Sequence, residues 1–212
     1  MRLKASVTIA ACWLALAQGS IAQDIHKGHA MPAADAADPH AGHKMNMKSE
    51  VMRSEVALTI PATPLLRTDG SNTTLLKELS GNKPTVVAFF YTSCTTVCPV
   101  TNQILSNTQD ALGKDLAGVR ILSFSIDPEQ DTPTVLKAYQ QKFGAKPQWQ
   151  MYTGTMQNSV AVQKVFGAYR GDKMNHEPFI FVNTGGNKSW VQLRGFPSAE
   201  QVVKELNLQK RG

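Results

Sequence analysis

From about Val56 the apolar and polar positions fall into strand-length runs and helical faces, and upstream of that point they do not. "VALTI" predicts a strand, Asp69-Gly70 a turn, and "SNTTLLKEL" an extended piece running into a helical turn, so the folded part starts with an N-terminal β-hairpin extension. "TVVAFFY" (Thr85 to Tyr91) is a continuous apolar run, the signature of a strand buried on both faces. After Pro99 the positions Val100, Ile104, Leu105 and Leu112 share one helical face, with Gly113 as the stop. "VRILSFSI" predicts a second buried strand, and "DPEQDTP" a helix start with Thr132 as cap and Pro133 in the first turn, running to about Phe143 and Gly144. "WQMYTG" reads as a strand, "TMQNSVAVQKVFGAY" as a helix, and "FIFVN", "TGGN" and "SWVQLRG" as strand, turn and partner strand. Ser198 and Gln201 form a capping box for a last helix. The order predicts an α/β domain over 54–212: a central mixed β-sheet flanked by helices, with its chemistry at the carboxyl ends of the strands.

Two segments precede that domain. Residues 1–22 carry Arg2 and Lys4, then the apolar "ASVTIAACWLALA", then small Ser20 and Ala22 before Gln23, which is the layout of a secretory signal peptide. The apolar stretch falls short of the roughly 18 to 20 residues of a spanning helix. The expected location is the periplasm, with a membrane-anchored form as the alternative. Losing the signal removes Cys12 and leaves Cys94 and Cys98, which an oxidising compartment could pair. The net charge of +6 is spread without a Lys/Arg stripe, so nothing in the pattern calls for a nucleic-acid partner.

Residues 23–53 are rich in Ala, His, Met, Asp and Lys and poor in large apolar side chains, a composition expected to give a flexible tail. "HKGHAM" and "HAGHKM" repeat the pattern H-x-G-H-x-M, and four of the five histidines lie in these two words. His26, His29, Met31, His40, His43, Met45 and Met47 combine imidazole with thioether, a donor set that copper accepts, the thioether favouring Cu(I).

"FFYTSCTTVCPVTN" sets Cys94 and Cys98 four residues apart at a helix start, where the thiols can face one another or a shared ion. A helix N-terminus favours the thiolate, the form needed for redox attack and for metal ligation alike. A stabilising disulfide is a third option, though so small a loop removes little unfolded-state entropy. His176, the one histidine of the folded part, lies just before a buried strand and is the candidate third ligand; Met174 is a conceivable axial group. "TTVCPVT" also resembles the peroxiredoxin stretch around its reactive cysteine, with Thr95 three residues before Cys98, but Tyr91 stands where those enzymes carry a proline.

"FFYTSCTTVCP", then "SFSIDPEQDTPTVLKAYQQKFG", then a histidine before an apolar strand, together resemble the Sco/SenC copper chaperones from about Ser54 to the C-terminus. The resemblance implies a thioredoxin-like fold, copper bound by Cys94, Cys98 and His176, and assistance to the CuA centre of cytochrome c oxidase or another cuproprotein client. It also places Asp127 and Asp131 beside the metal site. One departure is Glu177-Pro178, which stands where thioredoxin-type oxidoreductases carry a cis-proline, so a cis bond at Pro178 is expected. This keeps open a thiol-disulfide reductase role, with Cys94 attacking, Cys98 resolving and a thioredoxin-like protein as reductant.

Overall fold

The computed structural model describes residues 50–185 and 189–208. Eight strands form one mixed sheet in the order β1-β8-β7-β4-β5-β6-β2-β3. At its centre lies β4 (Thr85–Phe90), buried at every position as its apolar run predicted. It pairs in parallel with β5 (Arg120–Ser125) and antiparallel with β7 (Phe179–Asn183). β6 (Trp149–Thr153) extends the parallel side, and β8 (Trp190–Arg194) the antiparallel side.

The hairpin extension forms β2 (Pro64–Arg67) and β3 (Asn72–Thr74), which run through α1 (Leu75–Leu79) and dock on β6. Glu78 fastens this edge by accepting from Arg67, from Thr73 and, at 2.6 Å, from the Tyr152 hydroxyl. The first strand departs from expectation. β1 is Met52–Val56, ahead of most of "VALTI", and pairs antiparallel with β8 at the opposite edge. Arg53, an expected tail residue, reaches Glu205 at 3.0 Å, while Leu58 and Ile60 pack against the core without strand pairing.

Four further helices complete the layers: α2 (Val97–Leu112), α3 (Pro133–Lys142), α4 (Met156–Val165) and α5 (Ala199–Leu208). Successive strand residues point to opposite faces, so adjacent Phe89 and Phe90 serve different layers. Phe89 packs edge-on to Phe166 beyond α4, in a cluster with Phe124 and Phe181. Phe90 stacks on Tyr139 of α3 with centroids 5.3 Å apart. The predicted caps are made: Thr132 accepts from Val135, Ser198 and Gln201 exchange both bonds of a capping box, and Gly113 ends α2 at φ 51°.

Candidate functional site

The turn between β4 and α2 carries Cys94 on a backbone bond from its own N–H to the Tyr91 carbonyl, 3.2 Å. Cys94 precedes the helix and Cys98 lies in its first turn. The helix supplies the link: Cys98 N–H, one of the donors left over at an α-helix start, points at Cys94 Sγ at 3.4 Å. Thr96, the N-cap, makes no side-chain cap, and its hydroxyl lies 3.8 Å from the same sulfur. The sulfur of Cys94 thus takes the place of a capping oxygen.

Both cysteines are free thiols, Cys94 6% and Cys98 1% exposed, and the hydrogen-bond donors around them separate their chemistry. Burial opposes the Cys94 thiolate, but donors from the Cys98 side chain, the Cys98 N–H and Thr96 outweigh it and bring its pKa down to about 7. Burial pushes the Cys98 thiol well up, and its bond to Cys94 holds the proton there. The Cys94 thiolate is thus favoured near neutral pH while its neighbour keeps its proton.

Asp131, fully buried, braces the turn. It accepts from the Thr92 N–H at 3.2 Å, the Thr92 hydroxyl at 2.5 Å and the Ser125 hydroxyl at 2.6 Å, joining the ends of β4 and β5. Burial raises its pKa against the pull of these donors. Beneath Cys98, the Asn102 amide donates to the Cys98 carbonyl at 2.9 Å and to the Tyr139 hydroxyl at 3.2 Å. Thr92, Asn102, Tyr139 and Thr96 were not singled out in the sequence; only the phase of Asn102 on the buried face of α2 could have marked one of them.

The segment before β7 crosses the same end of the sheet. Asp127 is buried and accepts from Lys173 Nζ at 2.6 Å, and Lys173 also stands 5.7 Å above the Tyr91 ring. Beyond this pair, Ile126, Met156, Val160 and Tyr169 line a cleft of about 320 Å³. His176 turns Nε2 to the Phe89 carbonyl at 3.2 Å. A carbonyl only accepts, so Nε2 carries the proton and Nδ1 the lone pair. Burial, ahead of the other influences, lowers the His176 pKa and keeps the ring neutral.

The expected site residues are therefore brought together unevenly. Cys94 and Cys98 meet, with Asp131 behind their turn and Asp127 holding the crossing segment. His176 is held on β4, and no three His, Cys, Asp or Glu side chains among the described residues are grouped as a metal site. His26, His29, Met31, His40, His43, Met45 and Met47, with the expected signal peptide, lie outside the described residues. The expected cis bond at Pro178 is absent: the described peptide bonds are all trans. In the trans form the Glu177 carboxylate reaches Arg170 at 3.1 Å and Arg194 at 2.7 Å, and the Pro178 carbonyl accepts from Gly195 at 3.0 Å. The intrinsic trans preference of about 0.5–1 kcal/mol needs no reversal here.

The Bacillus subtilis SCO1 protein homolog is 33% identical over 93 residues, 43% of this chain and 47% of that protein. The chain spans less than half the length of the curated relatives it matches. Among solved structures, Bradyrhizobium japonicum ScoI with copper bound is 27% identical, with a TM-score of 0.58 over 72% of this chain and 99% of that one. BsSco, a member of the Sco family of cytochrome c oxidase assembly proteins in which a disulfide switch was identified, is 22% identical, with a TM-score of 0.62 over 73% and 94% of the two chains. The likeness in fold agrees with the expected thioredoxin-like α/β architecture. The SCO1/SenC family model matches residues 64–207, well over half of the sequence, and the chain belongs to that family.

Proposed function

We propose that this protein is an exported copper chaperone that carries Cu(I) on Cys94, Cys98 and His176 and delivers it to a respiratory oxidase centre, the CuA site of cytochrome c oxidase being the expected client. The observation that carries this reading is the pair of thiols in one turn, a soft donor set suited to Cu(I), with the Cys94 thiolate already favoured near pH 7. Copper is cargo here, and the fold's task is to make the donors available and then release them. Support comes from ScoI, a family member solved with copper bound, and from the oxidase-assembly role given for the Sco family.

The donor chemistry fits, but the present grouping supplies two ligands of three. His176 either coordinates through Nδ1, which holds the lone pair, or gives up the Phe89 carbonyl and shifts its proton to Nδ1, leaving the lone pair on Nε2. Neutral imidazole is the form that ligates, and burial already favours it. The His/Met words of the tail would bind further copper weakly, because ordering the segment opposes binding.

A Cu(I) competition titration of the reduced full chain, beside Cys94→Ser/Cys98→Ser and His176→Ala, tests the proposal. One tight site lost in the double variant and weakened at least tenfold in His176→Ala is the expected result. Unchanged tight binding in the double variant would refute it.

The asymmetry of the two thiols favours a second reading, thiol-disulfide exchange with a client's cysteines. Cys94 is the ionised nucleophile, and Cys98, one turn away, would resolve the mixed disulfide by displacing the client thiolate. A Cys98→Ser variant whose Cys94 attacks a client disulfide, releases one client thiolate and accumulates as the mixed disulfide supports this role. Failure to exchange with any disulfide tested would leave copper carriage alone.

A further inference from the structure

Cys94 and Cys98 are largely buried, so little of either sulfur faces an incoming metal ion. The exposed soft donor linked to them, through Tyr91, is Met174, 74% exposed, the highest value for any large apolar residue described. Packing does not account for it, since its carbon chain lies mostly in water. Nor is it a loose end. The Met174 N–H donates to Asp172 Oδ1 at 2.8 Å, the His176 N–H closes the turn on the Lys173 carbonyl at 3.1 Å, and Lys173 anchors the turn on Asp127 at 2.6 Å.

Although the residue is exposed, its sulfur faces inward, 3.7 Å from the Tyr91 hydroxyl, which donates to it. Tyr91 starts the cysteine turn, and its hydroxyl also interacts with Cys94; burial first, then that neighbour, push the phenol up to about 12. Contacts therefore run from Met174 Sδ to the Tyr91 hydroxyl, from there to Cys94, and from Cys94 to Cys98. A thioether is uncharged, binds Cu(I) in preference to harder cations, and exchanges it readily for a thiolate.

We propose that Met174 is the first-contact ligand for Cu(I), a relay between the copper donor and the Cys94–Cys98 pair; this rests on the copper reading above. The Met174 thioether forms a Cu–S bond as the donor's bond breaks, giving up its contact with Tyr91. Cys94 Sγ then bonds the same ion, the Cu–thioether bond breaks, and the thiol proton, where still present, passes to water. Copper remains Cu(I) throughout and no electrons move.

A relay changes the rate and leaves the end point alone, and that distinction makes the test. Reduced full-length protein is mixed in a stopped-flow instrument with the coloured Cu(I)–bathocuproine disulfonate complex, and the loss of colour is followed for wild type, Met174→Leu and Cys94→Ser/Cys98→Ser. Leucine keeps the bulk at an exposed position, so folding is not at stake. Met174→Leu should load on the order of tenfold more slowly, about 1.4 kcal/mol in barrier. Its equilibrium affinity by competition should stay within about twofold of wild type. As a second readout, the thioether methyl resonance missing in Met174→Leu should shift during loading of wild-type protein labelled with methyl-13C methionine. An unchanged loading rate overturns the relay, and so does a matched fall in rate and affinity, which would make Met174 a permanent ligand. If wild type binds no more tightly than the cysteine double variant, the copper reading fails and the relay falls with it; if wild type binds tightly and Met174→Leu loads normally, the relay alone is refuted.

Discussion

Single residues decide which thiol reacts. Cys94 is brought to about 7 by donors that approach its sulfur, while Cys98 is denied ionisation by burial. A thiolate reacts with iodoacetamide and a thiol does not. The alkylation rate of Cys94 should climb as pH rises through about 7 and level off above it, well below the range of an ordinary free thiol; peptide mapping of pulse-alkylated protein locates the midpoint. Thr96→Val removes one donor and should move that midpoint upward. Asp131 poses a different problem. It is a buried carboxyl whose pKa burial raises, so its ionised form is the less stable one in the fold, and its contribution to stability is greatest below its unfolded pKa and is lost as pH rises through the folded value. Asp131→Ala strands the Thr92 and Ser125 donors and should cost roughly 1–3 kcal/mol in urea unfolding at neutral pH. Asp131→Asn keeps an acceptor, costs less, and should flatten the dependence of stability on pH.

At the scale of elements, the segment from Arg170 to Pro178 is held by several separate side-chain ties. It is tied down at Asp127 through Lys173, at Tyr91 through Met174, at Phe89 through His176, and at Arg194 through Glu177. The Lys173 end of that pair lies partly in water and its Asp127 end is buried, so removing the lysine leaves a buried carboxylate without its partner ion and loosens the segment at that point. Lys173→Ala should raise amide hydrogen exchange at residues 172–176 several-fold and leave α2 unchanged. None of these ties was legible in the sequence, because they join residues 17 to 87 positions apart, which local periodicity does not connect. The cysteine turn was legible for the opposite reason: the buried strand before it and the helix after it are both written in local periodicity, which fixes Cys94 and Cys98 at a strand end. Periodicity misplaced β1, since the alternation in Val56, Leu58 and Ile60 reflects packing against the core beyond the last paired residue. Glu177-Pro178 misled in another way. The proline marks a strand start in either isomer, and only Arg170, Arg194 and Gly195, brought in by the fold, accompany the trans form.

For the whole molecule, strand register decides where the chain enters the folded part. Met52 pairs with Arg194, Arg194 pairs with Phe179, and Phe179 opens the strand whose Ile180 faces Ala88 on β4. The amino end of β1 therefore lies at the end of the sheet where β4 terminates and Cys94 begins its turn. Had β1 run the other way, the preceding residues would join at the far end, some six residues of strand or about 20 Å away. The sequence places two H-x-G-H-x-M words and Met47 upstream of this point, a donor set separate from the thiols. If the two sets are independent, substituting His26, His29, His40 and His43 by Ala and Met31, Met45 and Met47 by Leu in the full chain should abolish the weaker copper equivalents. The tight Cu(I) site should be kept within about twofold in the same competition titration. If the tight site weakens with the weak ones, tail donors complete the coordination in place of His176. His176→Ala in that background decides between them, since it lowers affinity only where His176 is a ligand.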